Sequence, residues 1–406
     1  MPLYDVVVVG GGPIGCMTAY FTAKSGFKTL IIEEHREIGK PVHCSGKVCV
    51  KAFEEFNLSK ASIVNKVRGA YFYSPDNKFF SVSKPTVESY IVDREIFDKD
   101  IAKKAEKAGA EILTSTKCYK LEKDKAGYNL RFKCKSFQSS NSIKCKAVVD
   151  AEGWRPILLE NLKPKKGIKF LAGIQVDMEN VEFNRQDHVE LYFGGKFFPG
   201  FFGWIIPLDE EKARVGLCVN KLAAKYPPST YLKLMLEKHP IVSRKVKQGR
   251  IRKVFGGIIP IHGPLNVKLP DGFFVVGDAA GHVKSTTGGG IYFGLKMAKI
   301  TGEAITRFLT REGKENFSML ESWKISFEIK FTSFLRKFLD KLSDEDLNIL
   351  FKVLREEKNF LKKIEEKYYS QDQFKIFLLT LKNPKIILKL KNFTPKLLIS
   401  LFDPYI

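Results

Sequence analysis

Apolar runs and their spacing divide the chain into elements. Val6 to Val9 is a short unbroken apolar run, the pattern of a strand buried on both faces of a parallel sheet. The stretch CMTAYFTAKSG behind it reads as a helix stopped at Gly26, and KTLIIE as a second strand closing on Glu33. An apolar helical period runs from Ile96 to Ala108. Phe273 to Val276 repeats the buried-strand pattern, and a glycine triplet, Gly288-Gly289-Gly290, then opens an apolar helix carrying small residues. From about Glu315 the glycines vanish. There KISFEIKFTSFLRKFLDKL, ILFKVLREEKNFLKKIEEKYY and IFLLTLKNPKIILKLKNFTPKLLISLF interleave apolar residues with lysines, which predicts several amphipathic helices.

The turn after the first strand carries chemistry. Gly10-Gly11-Gly12-Pro13-Ile14-Gly15 fits G-x-G-x-x-G at Gly10, Gly12 and Gly15. The first glycine permits a tight turn, the second lets a pyrophosphate approach the backbone, and the third lets the helix pack close to the strand. The helix N-terminus offers unpaired N–H groups to the phosphates. Glu33 stands 18 residues beyond Gly15, where a carboxylate takes both ribose hydroxyls; that favours FAD or NAD over a cofactor with a 2′-phosphate. The motif alone is weak evidence, but placed between a strand and a helix, with the acid ending the next strand, it is strong. No second copy occurs, so a dedicated NADPH domain is not expected.

Length and charge narrow the setting. A chain of 406 residues needs two or three lobes, and its 33 phenylalanines point to an apolar cavity or a lipid-facing surface. Lys and Arg number 68 against 45 acids, a net +23 that favours an anionic partner: acidic lipid headgroups, an acidic protein or nucleic acid. No nucleic-acid motif accompanies the charge, so nucleic acid is not expected. Seven cysteines without framework spacing argue for reduced thiols and a cytoplasmic setting. The N-terminus opens directly on a strand, and no apolar run is long enough to span a bilayer. The expected location is the cytoplasm, on or off the inner face of the cell membrane. No metal site is expected.

Several stretches carry a family likeness. GFFVVGDAAGHVKSTTGGGIYFGLKMAKITGEAI, from Gly272, resembles the second FAD fingerprint of the p-hydroxybenzoate hydroxylase-like flavoproteins. The resemblance implies that Asp278 binds the ribityl chain. It also implies that the helix after Gly288 and Gly290, starting at Ile291, points its N-terminus at the flavin N1–C2=O edge. A helix dipole there stabilises reduced flavin by about 0.3–1 kcal/mol. The segment DREIFD resembles that family's helix whose arginine, Arg94 here, reaches the FAD phosphates or ribityl. The residues alone equally allow an Arg94–Asp98 pair at i,i+4. KAVVDAEGWRP resembles the strand closing the cofactor domain, and Cys118 matches a position that approaches the adenine, where only the backbone need matter.

PVHCSG, together with Glu33, Arg94 and TTGGGI, looks like the P-x-x-C-x-G loop of the geranylgeranyl reductase family, which saturates isoprenoid double bonds. FFPGFFGWIIPLDEEKARVGL resembles that family's P-G-G-Y-x-W-x-F-P strand pair, with Pro199, Gly200, Gly203, Trp204 and Pro207 in place. FLDKLSDEDLN resembles a C-terminal helical segment of archaeal members. Lys284-Ser285 departs from the Asn-Pro that many members carry beside the flavin; the lysine either holds the reduced flavin or points to solvent.

The resemblance implies an α/β (α+β) fold: a Rossmann-like FAD-binding domain of p-hydroxybenzoate hydroxylase-like topology (1–65, 90–165, 265–315), an antiparallel-sheet substrate domain (66–89, 166–264) and a C-terminal helical region (316–406). Its implied cofactor contacts are Gly10, Gly12, Gly15, Glu33, Cys44, Ser45, Lys47, Arg94, Cys118, Asp278, Gly288, Gly290 and Ile291. Phe201, Phe202 and Trp204 are candidate walls of a prenyl cavity, where aromatic faces favour cation character at a branched carbon; as plain core residues they would look the same. Cys44 is the candidate proton donor, a packing group against the flavin or a gate. The implied substrate is a polyprenyl lipid, and electrons come from ferredoxin or from visiting NAD(P)H. An FAD monooxygenase or halogenase on the same fold, and a lipid-carrying flavoprotein without turnover, are the rival readings.

Overall fold

The computed structural model describes residues 4–134, 141–160, 169–310 and 317–401; the expected boundaries at 165 and 315 lie outside them. The first sheet runs in the order Glu111–Leu113, Thr29–Ile32, Tyr4–Val9, Asn141–Asp150, Gly127–Cys134, Thr116–Asp124, with Phe273–Val275 also paired to Asn141–Asp150. Its central pairs are parallel, Val6 standing opposite both Thr29 and Ala147. Val6, Val7 and Val8 are fully buried: Val6 and Val8 cluster with Met17, Phe97 and Leu295 of the covering helices, while Val7 clusters on the other face with Cys118, Tyr128 and Leu130 of neighbouring strands. The helix Pro13–Lys24 packs against the helices Arg94–Lys107 and Ile291–Thr310. Small residues allow that approach: a Cβ on Gly302 would lie 2.5 Å from Phe21 Cβ.

The second sheet has the order Arg250–Pro260, Phe170–Glu179, Ala213–Asn220, Phe202–Pro207, His188–Phe193, Gly69–Tyr73, Phe79–Ser83. It is antiparallel except between His188–Phe193 and Gly69–Tyr73. That exception follows from connectivity, since the chain leaves after Phe79–Ser83, builds part of the first sheet and only then returns. No hairpin constrains the direction of such a pair. One face buries Val176, Tyr192, Ile205, Val215 and Leu217 under the helix Pro228–Lys238. The other presents Leu171, Phe201, Trp204, Ile206, Cys218 and Ile261. A small three-stranded sheet, Lys47–Cys49, Ser89–Val92 and Ile63–Val67, completes the strand pairing.

The helices Phe317–Leu339, Asp344–Glu356, Lys358–Lys367, Gln373–Leu381, Pro384–Lys389 and Thr394–Leu401 close the chain. Ser343 and Asp346 form a capping box that starts the second of them. This layer docks on the edge of the second sheet, where Phe351 meets Phe80 edge-on at 5.4 Å and Glu365 Oε1 accepts from Ser83 N at 2.8 Å. Among the described residues no helix is long and apolar enough to cross a membrane.

Candidate active site

The first glycine turn is a cradle by exclusion of side chains. Gly10 has φ +109°, and a Cβ there would fall 2.2 Å from Ala151 O; a Cβ on Gly15 would fall 2.0 Å from Gly10 O. Gly12 is different, with nothing within 4 Å of a Cβ, so space opens at the helix N-terminus. That helix has Pro13 in its first turn, no side-chain cap and no acid in its first turn, which leaves its leading N–H groups to a phosphate. Glu33 is buried across the turn. Its Oε2 accepts from Gly11 N at 2.7 Å and keeps lone-pair capacity for a hydroxyl, while its Oε1 accepts from His35 N at 2.8 Å and lies 2.6 Å from His35 Nδ1. The residues present thus fit a dinucleotide. Cys118 lies on Thr116–Asp124 with its thiol in the core beside Val7, Leu30 and Tyr128, and burial pushes that thiol far above its ordinary pKa.

The second glycine turn lies against the first. A Cβ on Gly277 would touch Ile14 Cβ at 3.3 Å, and one on Gly294 would meet Ile14 Cδ1 at 2.6 Å. Asp278 Oδ1 stands 3.2 Å from where Gly290 would carry a Cβ, just ahead of the helix Ile291–Thr310. Burial raises the Asp278 pKa to about 6, with Arg94 acting against the rise. Arg94 grips Asp98 through Nε at 2.9 Å and Nη2 at 2.8 Å, so the i,i+4 pair forms. The same guanidinium also faces Cys44; burial works against its charge, yet Asp98 and Cys44 outweigh burial and raise its pKa. One arginine therefore connects the thiol loop to the aspartate of the second turn.

The Cys44 loop is fastened by the small three-stranded sheet and by the second sheet. Gly46 takes φ +76°, with room for no side chain because Val92 O would lie 2.5 Å from a Cβ. Val92 N donates to Gly46 O at 2.9 Å. From the second sheet, Arg214 Nη1 donates to Ser45 O at 2.7 Å while Asp177 holds its Nε and Nη2 at 2.7 and 3.0 Å. His43 Nδ1 donates to Gly256 O at 2.8 Å. Cys44 Sγ accepts from Gly46 N at 3.4 Å, and Lys47 Nζ donates to Ser89 Oγ at 2.8 Å.

Beneath the loop the sheet is hollowed by glycines. Gly216 stands between Gln175 and Trp204 on adjacent strands, and a Cβ there would lie 2.4 Å from Gln175 Cβ and 2.8 Å from Trp204 Cζ2. One step along, Gly257, Gly173 and Cys218 form the next row, with His43 O only 2.9 Å from a Cβ on Gly257. Trp204 Nε1 and Gln175 Oε1 are both buried without a partner among the described residues. Phe201 stacks on Phe202 at 4.2 Å and reaches within 4.0 Å of a Cβ on Gly288, so the aromatic wall meets the second turn. Arg336, from the C-terminal layer, lies 5.6 Å above the Phe201 ring.

Gln175, Asp177, Arg214 and Arg336 escaped the sequence reading. Glycines inside strand patterns, Gly173, Gly216 and the pair Gly256-Gly257, were the available signal, since such a glycine marks close approach of a ligand or another backbone.

Comparison with known proteins bears on this arrangement. The family model described as lycopene cyclase protein matches residues 5–380. An uncharacterized protein of Methanocaldococcus jannaschii is 36% identical over 362 residues, covering 86% of this chain and 88% of its own. A digeranylgeranylglycerophospholipid reductase from the same organism is 35% identical over 378 residues, covering 89% of this chain and 95% of its own. Among solved structures, a geranylgeranyl bacteriochlorophyll reductase-like protein from Thermoplasma acidophilum shares the fold with a TM-score of 0.82 at 24% identity, covering 96% and 99% of the two chains. On matches of this length, the chain belongs to the lycopene cyclase protein family and, within it, to the geranylgeranyl reductases.

Proposed function

We propose that the chain holds FAD between its two glycine turns and reduces isolated double bonds of geranylgeranyl or other polyprenyl lipids, in the manner needed for archaeal membrane-lipid precursors such as digeranylgeranylglycerol phospholipids. The observation that carries this reading is the placement of Cys44. Its loop bridges the cofactor cradle and a glycine-hollowed, aromatic-walled sheet face. Bound FAD supplies a hydride from N5. The remaining requirement is a proton, because an isolated alkene has no carbonyl to take up negative charge. The Cys44 thiol would donate it to the less substituted carbon, leaving the branched carbon to take the hydride that bound FAD would supply. The thiolate left behind faces the Arg94 guanidinium until solvent returns the proton. Phe201, Phe202 and Trp204 keep water out and turn aromatic faces to the developing positive charge, each worth about 0.5–2 kcal/mol. Ferredoxin or NAD(P)H recharges the cofactor.

The C-terminal layer supports a membrane-surface substrate. The helix Gln373–Leu381, apolar at six of its nine positions, buries none of them. Trp323 is 63% exposed, Leu388 68% and Ile399 59%, among the lysines of the same helices. An apolar surface rimmed by lysines suits anionic lipid. Co-sedimentation with vesicles of anionic, but not zwitterionic, lipid is the expected result.

The deciding experiment reduces the FAD-loaded protein with dithionite and adds a geranylgeranyl lipid under anaerobic conditions. Reoxidation with a saturated product in the mass spectrum is expected, and Cys44→Ala slows it. Product that forms only with oxygen would instead identify a monooxygenase or halogenase, and no reoxidation a carrier.

A further inference from the structure

We propose that Lys284 is the cationic partner of the negative charge that a reduced flavin carries at its N1–C2=O edge, and so sets how readily the bound cofactor accepts electrons. This rests on the FAD reading above.

Lys284 is not a solvent-facing residue. It is 8% exposed and sits in the turn that joins Asp278 to the glycine triplet. Lys284 N donates to Gly289 O at 3.1 Å and Gly288 N donates to Lys284 O at 2.8 Å, which folds the side chain back beneath the triplet. A Cβ on Gly289 would lie 3.3 Å from Lys284 Cε and 3.9 Å from its Nζ. The ammonium has one hydrogen bond among the described residues, to Ser370 O at 3.2 Å. No carboxylate of those residues comes within ion-pair distance.

The groups around it answer the charge only in part. Glu88, ahead of Ser89–Val92, already accepts from Ser370 N at 2.8 Å, and Glu328, on Phe317–Leu339, accepts from Phe374 N at 3.1 Å. Lys47 faces it from Lys47–Cys49, and Cys49 from the end of that strand. Burial first, then Lys47, bring the Lys284 pKa down to about 8, while Cys49, Glu88 and Glu328 act the other way. The helix Ile291–Thr310 starts two residues past Gly289 without an acid in its first turn. A buried ammonium and a helix positive pole thus share one end of the glycine triplet, and each raises the cost of the other until an anion arrives. Two fixed positive sources at the fingerprint turn match the one part of the cofactor that gains charge on reduction.

The test uses the full-length FAD-loaded protein and its Lys284→Met and Lys284→Arg variants, with potentials read anaerobically by dye equilibration. Loss of the charge should weaken the preference for the reduced state by about tenfold, a drop of about 30 mV for a two-electron couple. Lys284→Arg should restore most of it. Sulfite addition, followed by bleaching of the visible flavin band, should weaken in parallel, because the adduct carries the same negative charge. In the wild type, proton uptake per electron pair should rise from one towards two above pH about 8, where a neutral Lys284 recovers its proton as the flavin gains charge; Lys284→Met should stay at one. Should Lys284→Met not take up FAD, Lys284→Gln is read in its place. Unchanged potential and sulfite affinity in an FAD-loaded, uncharged variant overturn the proposal and leave the cofactor reading intact. A wild-type protein that refuses FAD overturns both.

Discussion

Arg214 offers the sharpest check on how the thiol loop is held. Its guanidinium is buried, makes two bonds to Asp177 and one to Ser45 O, and lies 5.0 Å from the Phe255 ring. Arg214→Met removes all of these and strands Asp177. Breaking a buried pair from one side costs about 3–5 kcal/mol. The Asp177 side chain is 22% exposed, so water relieves part of that loss and the lower end of the range applies. The local effect is separable from the global one. A charge-assisted bond to Ser45 O is worth about 1.5–3 kcal/mol, so the loop should open roughly 10- to 150-fold more often. Cys44 is the one cysteine of the seven that is not buried, so thiol labelling of the native protein reads that opening directly. Arg214→Met should label faster by a factor in this range, and its thermal midpoint should fall. Arg214→Met/Asp177→Leu should regain much of the midpoint but none of the slow labelling, since removing both charges ends the desolvation penalty without restoring the tether. Labelling at the wild-type rate in the single variant would refute the claim that the second sheet positions the thiol.

Three further outcomes follow from the same geometry. Gly10→Ala should give folded but colourless protein, because a left-handed alanine costs about 1–3 kcal/mol and its Cβ meets Ala151 O at 2.2 Å; the ratio of visible to ultraviolet absorbance measures it. Gln175→Leu should hold or raise the thermal midpoint, since it deletes a buried acceptor that has no donor, whereas a fall of several degrees would mean Gln175 Oε1 is satisfied. Asp150 is buried and Glu152, two residues on, is half-buried; burial pushes both above the ordinary carboxylate range, and the neighbouring Asp150 adds to the rise at Glu152. An acid whose folded pKa is raised destabilises the fold when ionised, and that cost fades as pH falls through the folded value. Glu152→Gln should therefore be more thermostable than the wild type in alkaline buffer, with the difference shrinking under mildly acidic conditions.

Local elements were legible where the signal is itself local. The run Val6–Val9 and the glycines after it define a strand, a turn and a helix within 24 residues, and the structure has them at Tyr4–Val9 and Pro13–Lys24. Asp93 caps Arg94–Lys107 by accepting from Glu95 N and Ile96 N, one turn ahead of the apolar period that marks the helix. The hollow in the second sheet was not legible, because Gly173, Gly216 and Gly257 line up only once register across three strands is known. Lys284 shows the same limit. Residue order leaves it free to face solvent. Its burial comes from Thr332 and Ser333, which bond Ser285 from a helix some fifty residues on, and from the turn carrying Ser370.

The role proposed for Cys44 accounts for its place outside any strand or helix. Cys16, Cys49, Cys118, Cys145 and Cys218 sit in regular elements, and burial raises the pKa of each thiol. Cys218 is the instructive case. It stands on the sheet floor near Cys44, yet the ladder of Ala213–Asn220 fixes its direction and leaves it walled in beside Gly173. On that proposal the thiol must meet both a cofactor and an apolar chain, and it needs a backbone held from two sheets at once. The loop supplies that: Val92 holds one end from the small three-stranded sheet, and Arg214 and the Gly256 carbonyl hold it from the second sheet. Any change that keeps Cys44 but frees the loop should therefore cost turnover while leaving FAD content alone, a separation that no role confined to packing against the cofactor would produce.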